Sequence, residues 1–274
     1  MSNTIHTRNQ TRVIESFHDS INNTDDDFIN EVIKAAIQYN KELINNPHRF
    51  FPTQEELDHY HSLLKTKNNT NINMIGTLEV PKLNMILPIY LGTNENTLKI
   101  GLGHIEGTSL PVGGIGTHTV ITGHRGLHTA RLLTDIDKMQ IGDVFTLNIL
   151  NQTKHYITDQ IIIVLPDEYE NLAIDPNKDY ATLLTCTPIG VNTHRLLVRG
   201  ERVQDENVPI LISSTEDYQI DVEILTQLIL TILLIIILAI IMILITRLIK
   251  NKKPKGNKNA ISNSRKTKRR KQYR

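Results

Sequence analysis

The chain has 274 residues, enough for one or two domains at ~100–200 residues each. With 39% hydrophobic residues, 5% aromatics and no Trp, it is neither disordered throughout nor a polytopic membrane protein. The net charge of +1 conceals a division: residues 250–274 carry twelve Lys/Arg and no Asp/Glu, whereas residues 1–223 carry seventeen Lys/Arg against twenty-nine Asp/Glu, an acidic body that argues against nucleic acid as the main partner.

Residues 1–25 are polar and contain no apolar h-region, so no signal peptide is recognisable. Export would then rest on the C-terminal helix described below, or on a hydrophobic segment lost upstream of Met1. Residues 26–45 are predicted as a helix. Thr24 with Asp27 makes a capping-box-like start, and Phe28, Val32, Ala36, Tyr39 and Leu43 recur at helical spacing until Asn45-Asn46-Pro47 ends it. Thr53 and Glu56 form a second capping box ahead of Leu57, Tyr60 and Leu64 on one face. The Asn-rich stretch Lys65–Asn73 reads as a linker, closing an N-terminal helical region of residues 1–73.

From Met74 the texture changes to short apolar runs broken by Gly and Pro. Candidate strands are Met74–Val80, Met85–Tyr90, His118–Gly123, Val144–Leu150, His155–Val164, Ala181–Cys186 and His194–Arg202, with a short helix over Thr129–Leu133. Many short strands with turn signals point to a mainly β domain over residues 74–203, a sandwich or a closed barrel. A polar tether, 204–223, follows.

Ile224–Thr246 is 23 residues without a charge, and its only polar residues are Thr226, Gln227, Thr231 and Thr246. As a helix it spans roughly 34 Å, enough for a ~30 Å hydrocarbon core. A buried core helix is the alternative, but Leu228–Ile245 holds a single polar side chain. A transmembrane helix over 224–249 is therefore expected, followed at once by Arg247, Lys250, Lys252, Lys253 and Lys255. The positive-inside rule places the basic tail 250–274 in the cytoplasm and the body on the other side, as expected of a single-pass protein of the plasma membrane with an extracellular body. The tail is read as an anionic-lipid contact in preference to a nucleic-acid site.

Cys186 is the only cysteine, which excludes an intrachain disulfide and a multi-Cys metal site. An unpaired thiol outside the cytoplasm is either an inert buried residue at a strand end or a working nucleophile. Spacing alone weighs the two evenly. A nucleophilic cysteine needs a cationic neighbour and a His that can hand a proton to the leaving group, and eleven histidines leave that choice open. Two local patterns narrow it. Thr182-Leu183-Leu184-Thr185-Cys186 is a strand ending at the thiol, and the connection Thr187–Thr193 can return Arg195 beside it, where a guanidinium offers two hydrogen bonds to an oxyanion. Val120-Ile121-Thr122-Gly123-His124-Arg125-Gly126 puts a His just past an apolar strand between glycines, as suits a barrel rim.

These residues resemble the sortases. Thr182–Cys186 matches the TLxTC signature, and His124 and Arg195 fall where that family places its His and Arg. Leu87–Thr93, Gly107–Gly114, Thr122–Gly126, Thr185–Pro188 and Val191–Gly200 are similar to the pilin-polymerising class C members. The resemblance covers about residues 74–203. It implies a sortase-type eight-stranded β-barrel with N-terminal helices and a C-terminal transmembrane helix. It implies a Gram-positive cysteine transpeptidase acting on pilin subunits that bear an LPxTG-like sorting signal. Cys186 would form a thioester with the pilin, His124 would protonate the departing glycine amine, and Arg195 would steady the oxyanion. Thr185, Thr187 and Pro188 would shape the substrate groove. A Lys amine of the next pilin would resolve the thioester, with no cofactor and no metal. A sortase that joins proteins to the peptidoglycan cross-bridge is the alternative enzyme, and a tethered scaffold that binds pilins without turnover is the rival outside enzymes.

Four departures stand out. Ile189 replaces a frequent Tyr, Leu91 replaces an expected His before Gly92-Thr93, and the N-terminal hydrophobic segment is absent. The Asp-Pro-aromatic lid of many class C members is also missing: Asn46-Pro47-His48 lacks both acid and aromatic. An open groove over Cys186 is therefore expected, with Phe50 and Phe51 in a short structural turn. His104, His118, His128, His155 and His194 are expected to be structural or exposed. Asp167, Glu168, Glu170 and Asp175 are read as a solvated acidic loop in preference to a calcium site.

Overall fold

The computed structural model describes residues 2–46, 49–63, 74–203 and 222–251. They fall into two compact units, Met1–Asp217 and Tyr218–Arg274. The linker 64–73, most of the tether and the tail beyond Asn251 lie outside the described residues.

Eight strands close into a barrel: β1 Met74–Val80, β2 Met85–Leu91, β3 Leu102–His104, β4 Thr117–Thr122, β5 Val144–Ile149, β6 Gln152–Val164, β7 Asp179–Thr187 and β8 His194–Val203. The order around it is β1-β2-β3-β4-β7-β8-β6-β5, with β2/β3 and β4/β7 parallel and every other pair antiparallel. Of the two architectures the strand pattern allowed, the barrel is the one formed, and closure removes most of the exposed edges that an open sheet carries. Because side chains alternate across a strand, Leu78, Ile89, Ile121, Phe145, Leu183 and Val198 meet inside, each at most 1% exposed. Three elements were not expected. β3 is three residues long, too short for a periodic signal. A helix α4, Glu95–Ile100, follows Asn94, whose side chain accepts from Thr97 N. The third is the first helix, Ser2–Asn22. The helix expected over Thr129–Leu133 does not form. Leu132 there has φ +35°, and a 3-10 turn at Ile136–Lys138 follows instead.

Ahead of the barrel run α1 Ser2–Asn22, α2 Asp26–Leu43 and α3 Gln54–Ser62. The polar N-terminus is thus helical, tied down by buried Ile21 and by Gln10 Nε2 donating to Ile100 O at 3.2 Å. The cap of α2 is Asp25 rather than Thr24: its carboxylate accepts from Asp27 N at 2.9 Å, while Thr24 Oγ1 donates to Ser20 O at 2.7 Å. Ile29, Ile33, Ala36 and Tyr60 join the same apolar cluster as the barrel interior. Asn40 locks α2 onto a barrel loop with two bonds, Nδ2 to Leu110 O at 3.0 Å and Oδ1 from Leu110 N at 2.7 Å. The Thr53–Glu56 capping box on α3 is complete in both directions.

The second unit contains α5, Val222–Asn251. Its stretch Ile229–Leu248 has a mean hydropathy of 3.4 and is exposed along its length. A helix apolar on every side is either a protein core or a membrane span. This one is long and apolar enough to cross a bilayer.

Candidate active site

β7 carries Thr182, Leu184 and Cys186 on the outer face of the barrel, with Ala181, Leu183 and Thr185 turned inward. Antiparallel pairing with β8 sets Cys186 directly opposite Arg195. Parallel pairing with β4 sets Thr122 beside Leu184, and Gly123 N donates to Leu184 O at 3.3 Å. His124 follows in the loop just past the end of β4, and Thr185 Oγ1 donates to the carbonyl of its neighbour Gly123 at 2.8 Å, which ties that loop to the strand carrying Cys186. The three residues expected to carry the chemistry therefore lie at one end of the barrel, Cys186 and Arg195 on paired strands and His124 on the loop after β4, and all three are part-exposed. The Arg195 guanidinium is held by its own loop: Nη1 donates to Asn192 O and His194 O, each at 3.1 Å.

The three residues expected to contact substrate are placed differently. Pro188 is exposed beside the thiol. Thr185 and Thr187 are buried and face away from Cys186 across the strand. Thr185 Oγ1 donates to Gly123 O at 2.8 Å, and Thr187 Oγ1 accepts from Arg125 Nη1 at 3.4 Å. Their hydroxyls are engaged by the loop that carries His124.

The outer face is not open. Val120, Val164, Leu172 and Leu197 form a second apolar cluster, with Phe50 and Leu184 packed against it. Phe50 stacks on Tyr169 at 5.3 Å, and Phe51 meets the same ring edge-on at 6.1 Å. Arg49 Nη2 donates to Leu172 O at 2.8 Å, and its guanidinium lies 4.4 Å from the centre of the Phe50 ring. Burial pulls that guanidinium below its usual pKa. The Arg49 carbonyl rests where a Cβ on Gly107 would be, and Gly107 is in the left-handed region at φ +79°. Residues 49–51 form a turn, as expected, and cover part of the face that carries Leu184, held by stacking and a backbone bond, while Cys186 itself is part-exposed. Pro47 and His48 lie outside the described residues.

His118 lies on this face of β4, fully buried. Ala173 O can only accept, so Nδ1 carries the proton and donates to it at 2.9 Å, leaving Nε2 to accept from Thr182 Oγ1 at 2.7 Å. One imidazole thereby pins the β6–β7 connection to the strand that carries Cys186. Burial is the main reason its pKa falls to about 4; Arg199 and Arg49 push the same way. His104 is also buried, with Nε2 donating to Ser109 O at 2.8 Å and Nδ1 accepting from Tyr60 Oη at 2.8 Å; burial lowers it to about 4 as well. In the acidic loop, Glu168 Oε2 accepts from Leu165 N and Asp175 Oδ1 from Asn177 N. No cluster of three or more candidate metal ligands occurs among the described residues.

A model of the sortase domain matches residues 78–203. Sortase C1 from Streptococcus agalactiae is 44% identical to this chain, covering 71% of it and 99% of that structure with a TM-score of 0.65. The chain belongs to the sortase family. Clostridium perfringens sortase C, solved with the C-terminal cell wall sorting motif, is 42% identical over 71% of this chain and 99% of its own, with a TM-score of 0.60. Sortase A of Bacillus anthracis is 28% identical over 130 residues, 47% of this chain and 60% of the relative's length. Within this sortase two of the departures have a physical setting. Leu91 is buried at the end of β2. Ile189 lies against Gly126, where a Cβ would collide with its Cγ2. Sequence reasoning missed the groove-facing side of Arg49–Phe51 and the contacts of Arg125. The only signal for either was an Arg next to a chosen residue or ring.

Proposed function

We propose that this sortase is a membrane-anchored class C transpeptidase that builds pili. The observation that supports this most is the strand register that puts Cys186 opposite Arg195, next to the loop that carries His124. The Cys186 thiolate adds to the carbonyl of the Thr–Gly bond in an LPxTG-like signal. Arg195, a planar fork that keeps its charge, stabilises the tetrahedral oxyanion. Collapse of that intermediate breaks the C–N bond, and the glycine amine leaves with a proton from His124. The pilin remains as a thioester on Cys186. A Lys amine of a second pilin then attacks, gives a proton to His124 and expels the thiolate, leaving an isopeptide bond. One amide replaces another, so the exchange needs no external energy source. The apolar helix α5 anchors the enzyme, with the catalytic unit extracellular and the basic residues after Thr246 on the cytoplasmic side.

The test incubates the enzyme with a pilin bearing the sorting signal and follows thioester and product by mass. Cys186→Ala should form neither. An acyl-enzyme resolved by pilin Lys supports polymerisation, resolution by a cross-bridge amine supports wall attachment instead, and laddering by Cys186→Ala refutes the mechanism.

A further inference from the structure

The two residues that flank His124 are tied to the two residues that flank Cys186. On one side, Thr185 Oγ1 donates to Gly123 O at 2.8 Å. On the other, Arg125 Nη1 donates to Thr187 Oγ1 at 3.4 Å. The Arg125 guanidinium also reaches across the β4–β5 loop. Its Nε donates to Thr134 O at 3.2 Å, and its Nη2 pairs with Asp137 Oδ2. That side chain is only 6% exposed, against 49% for its Asp137 partner. The same loop is closed by Gly126 N donating to Thr134 Oγ1 at 3.1 Å and by Leu133 N donating to His124 O at 3.2 Å. Gly126 packs flush on Ile189 of the β7–β8 loop.

We propose that Arg125 is a positioning residue for the reaction, a three-way clamp that fixes the His124 loop against the end of β7 and so sets His124 relative to Cys186. The chemistry of guanidinium fits the task. Three N–H groups in one plane serve a carbonyl, a carboxylate and a hydroxyl at once, which an ammonium on a flexible stem does not match. The location fits too. His124 lies past the last paired residue of β4, so no ladder hydrogen bonds hold it, and the loop's own contacts must do so. Asp137 supplies the charge that keeps a nearly buried guanidinium in place. Arg125 acts through His124 and touches neither substrate nor the reacting atoms. The inference rests on the proposed roles of Cys186 and His124.

The test compares Arg125→Lys and Thr187→Val with Arg131→Ala, which removes a cation from the same loop that is 72% exposed and pairs with Asp135. For each full-chain protein in detergent, kcat and KM for sorting-signal cleavage, the thermal midpoint and the rate of Cys186 alkylation by iodoacetamide are measured. Misplacing a catalytic group by about 1 Å costs up to about 10²-fold in rate. Arg125→Lys should lose about 10- to 10²-fold in kcat, and Thr187→Val about threefold or more, with KM and the midpoint little changed and Arg131→Ala unaffected. Millimolar guanidinium should partly restore an Arg125→Ala protein. Equal activity in all variants, a loss carried by KM, or a loss that tracks the midpoint would overturn the clamp. The alkylation arm needs no pilin: a rate in Arg125→Lys that moves toward that of His124→Ala supports the clamp even if the sorting signal is not the substrate, and a wild-type rate there overturns it.

Discussion

Mild acid should loosen this protein through two buried histidines. His104 and His118 are both fully buried, and burial holds each near pKa 4 in the folded state, against an ordinary value of about 6.5 in the unfolded chain. The unfolded state therefore binds more protons between about pH 6.5 and 4, and stability falls as pH drops through that window. Going from about pH 7.5 to about pH 5, each histidine removes about 2 kcal/mol, or about 4 kcal/mol together, out of the roughly 5–15 kcal/mol that holds an ordinary domain. Asp179 works in the opposite sense, since burial raises its carboxyl, and folding then gains as it takes up a proton. Both imidazoles are hydrogen-bonded at both nitrogens, by Tyr60 and Ser109 for His104 and by Thr182 and Ala173 for His118; the bonds to the Ser109 and Ala173 carbonyls favour the charged form, and burial outweighs them. The charged groups nearest His118 are Arg199, Arg49 and Asp159. Urea unfolding of the full chain in mild detergent, repeated at intervals between about pH 7.5 and 5, gives the slope directly. His118→Gln and His104→Gln should each be less stable at neutral pH yet lose about half of the pH slope. A wild-type loss under about 1 kcal/mol across that range, or unchanged slopes in both variants, would refute the argument.

Three further outcomes are expected. Phe50→Ala removes a stacked ring contact of ~0.5–1.5 kcal/mol over the groove, so labelling of Cys186 by a bulky thiol reagent should quicken by about threefold to tenfold. Gly107→Ala, which collides with the Arg49 carbonyl, should do the same; unchanged rates in both would mean residues 49–51 do not limit access. Arg195→Lys keeps the charge but loses the planar fork, and turnover should fall by about 10²–10³-fold; near-normal turnover would reduce Arg195 to packing. Protease added to intact protoplasts should remove the acidic body and spare the basic tail, and antibody access to residues 255–274 without permeabilisation would reverse the orientation.

What could be read from the chain, and what could not, follows from the range of the interactions involved. β1 is found at Met74–Val80 as expected, and β4, β7 and β8 begin or end within two residues of the expected positions, because period-2 burial is local and repeats several times per strand. β3 has only three residues and contains Gly103, so its pairing with both β2 and β4 is made by the barrel rather than by its own pattern. Thr24 and Asp25 are both good caps on paper, and the extended backbone at Asp25, with ψ 128°, is what selects it. The site divides along the same line. The meeting of Cys186 with Arg195 needs one short connection between adjacent antiparallel strands, and spacing reveals it. The cover over Leu184 needs Arg49 to find Leu172, 123 residues away, and Phe50 to find Tyr169. An Asp-Pro-aromatic motif is visible in a sequence because it carries a charge and a proline. Stacking and a carbonyl bond do the same holding without leaving that mark. Arg125 shows the limit from the other side: it sits in the Thr122–Gly126 motif, next to the chosen His, but its partners at Thr134, Asp137 and Thr187 lie 9, 12 and 62 residues on. A polar side chain advertises what it can bond to, whereas the fold decides which partner it meets.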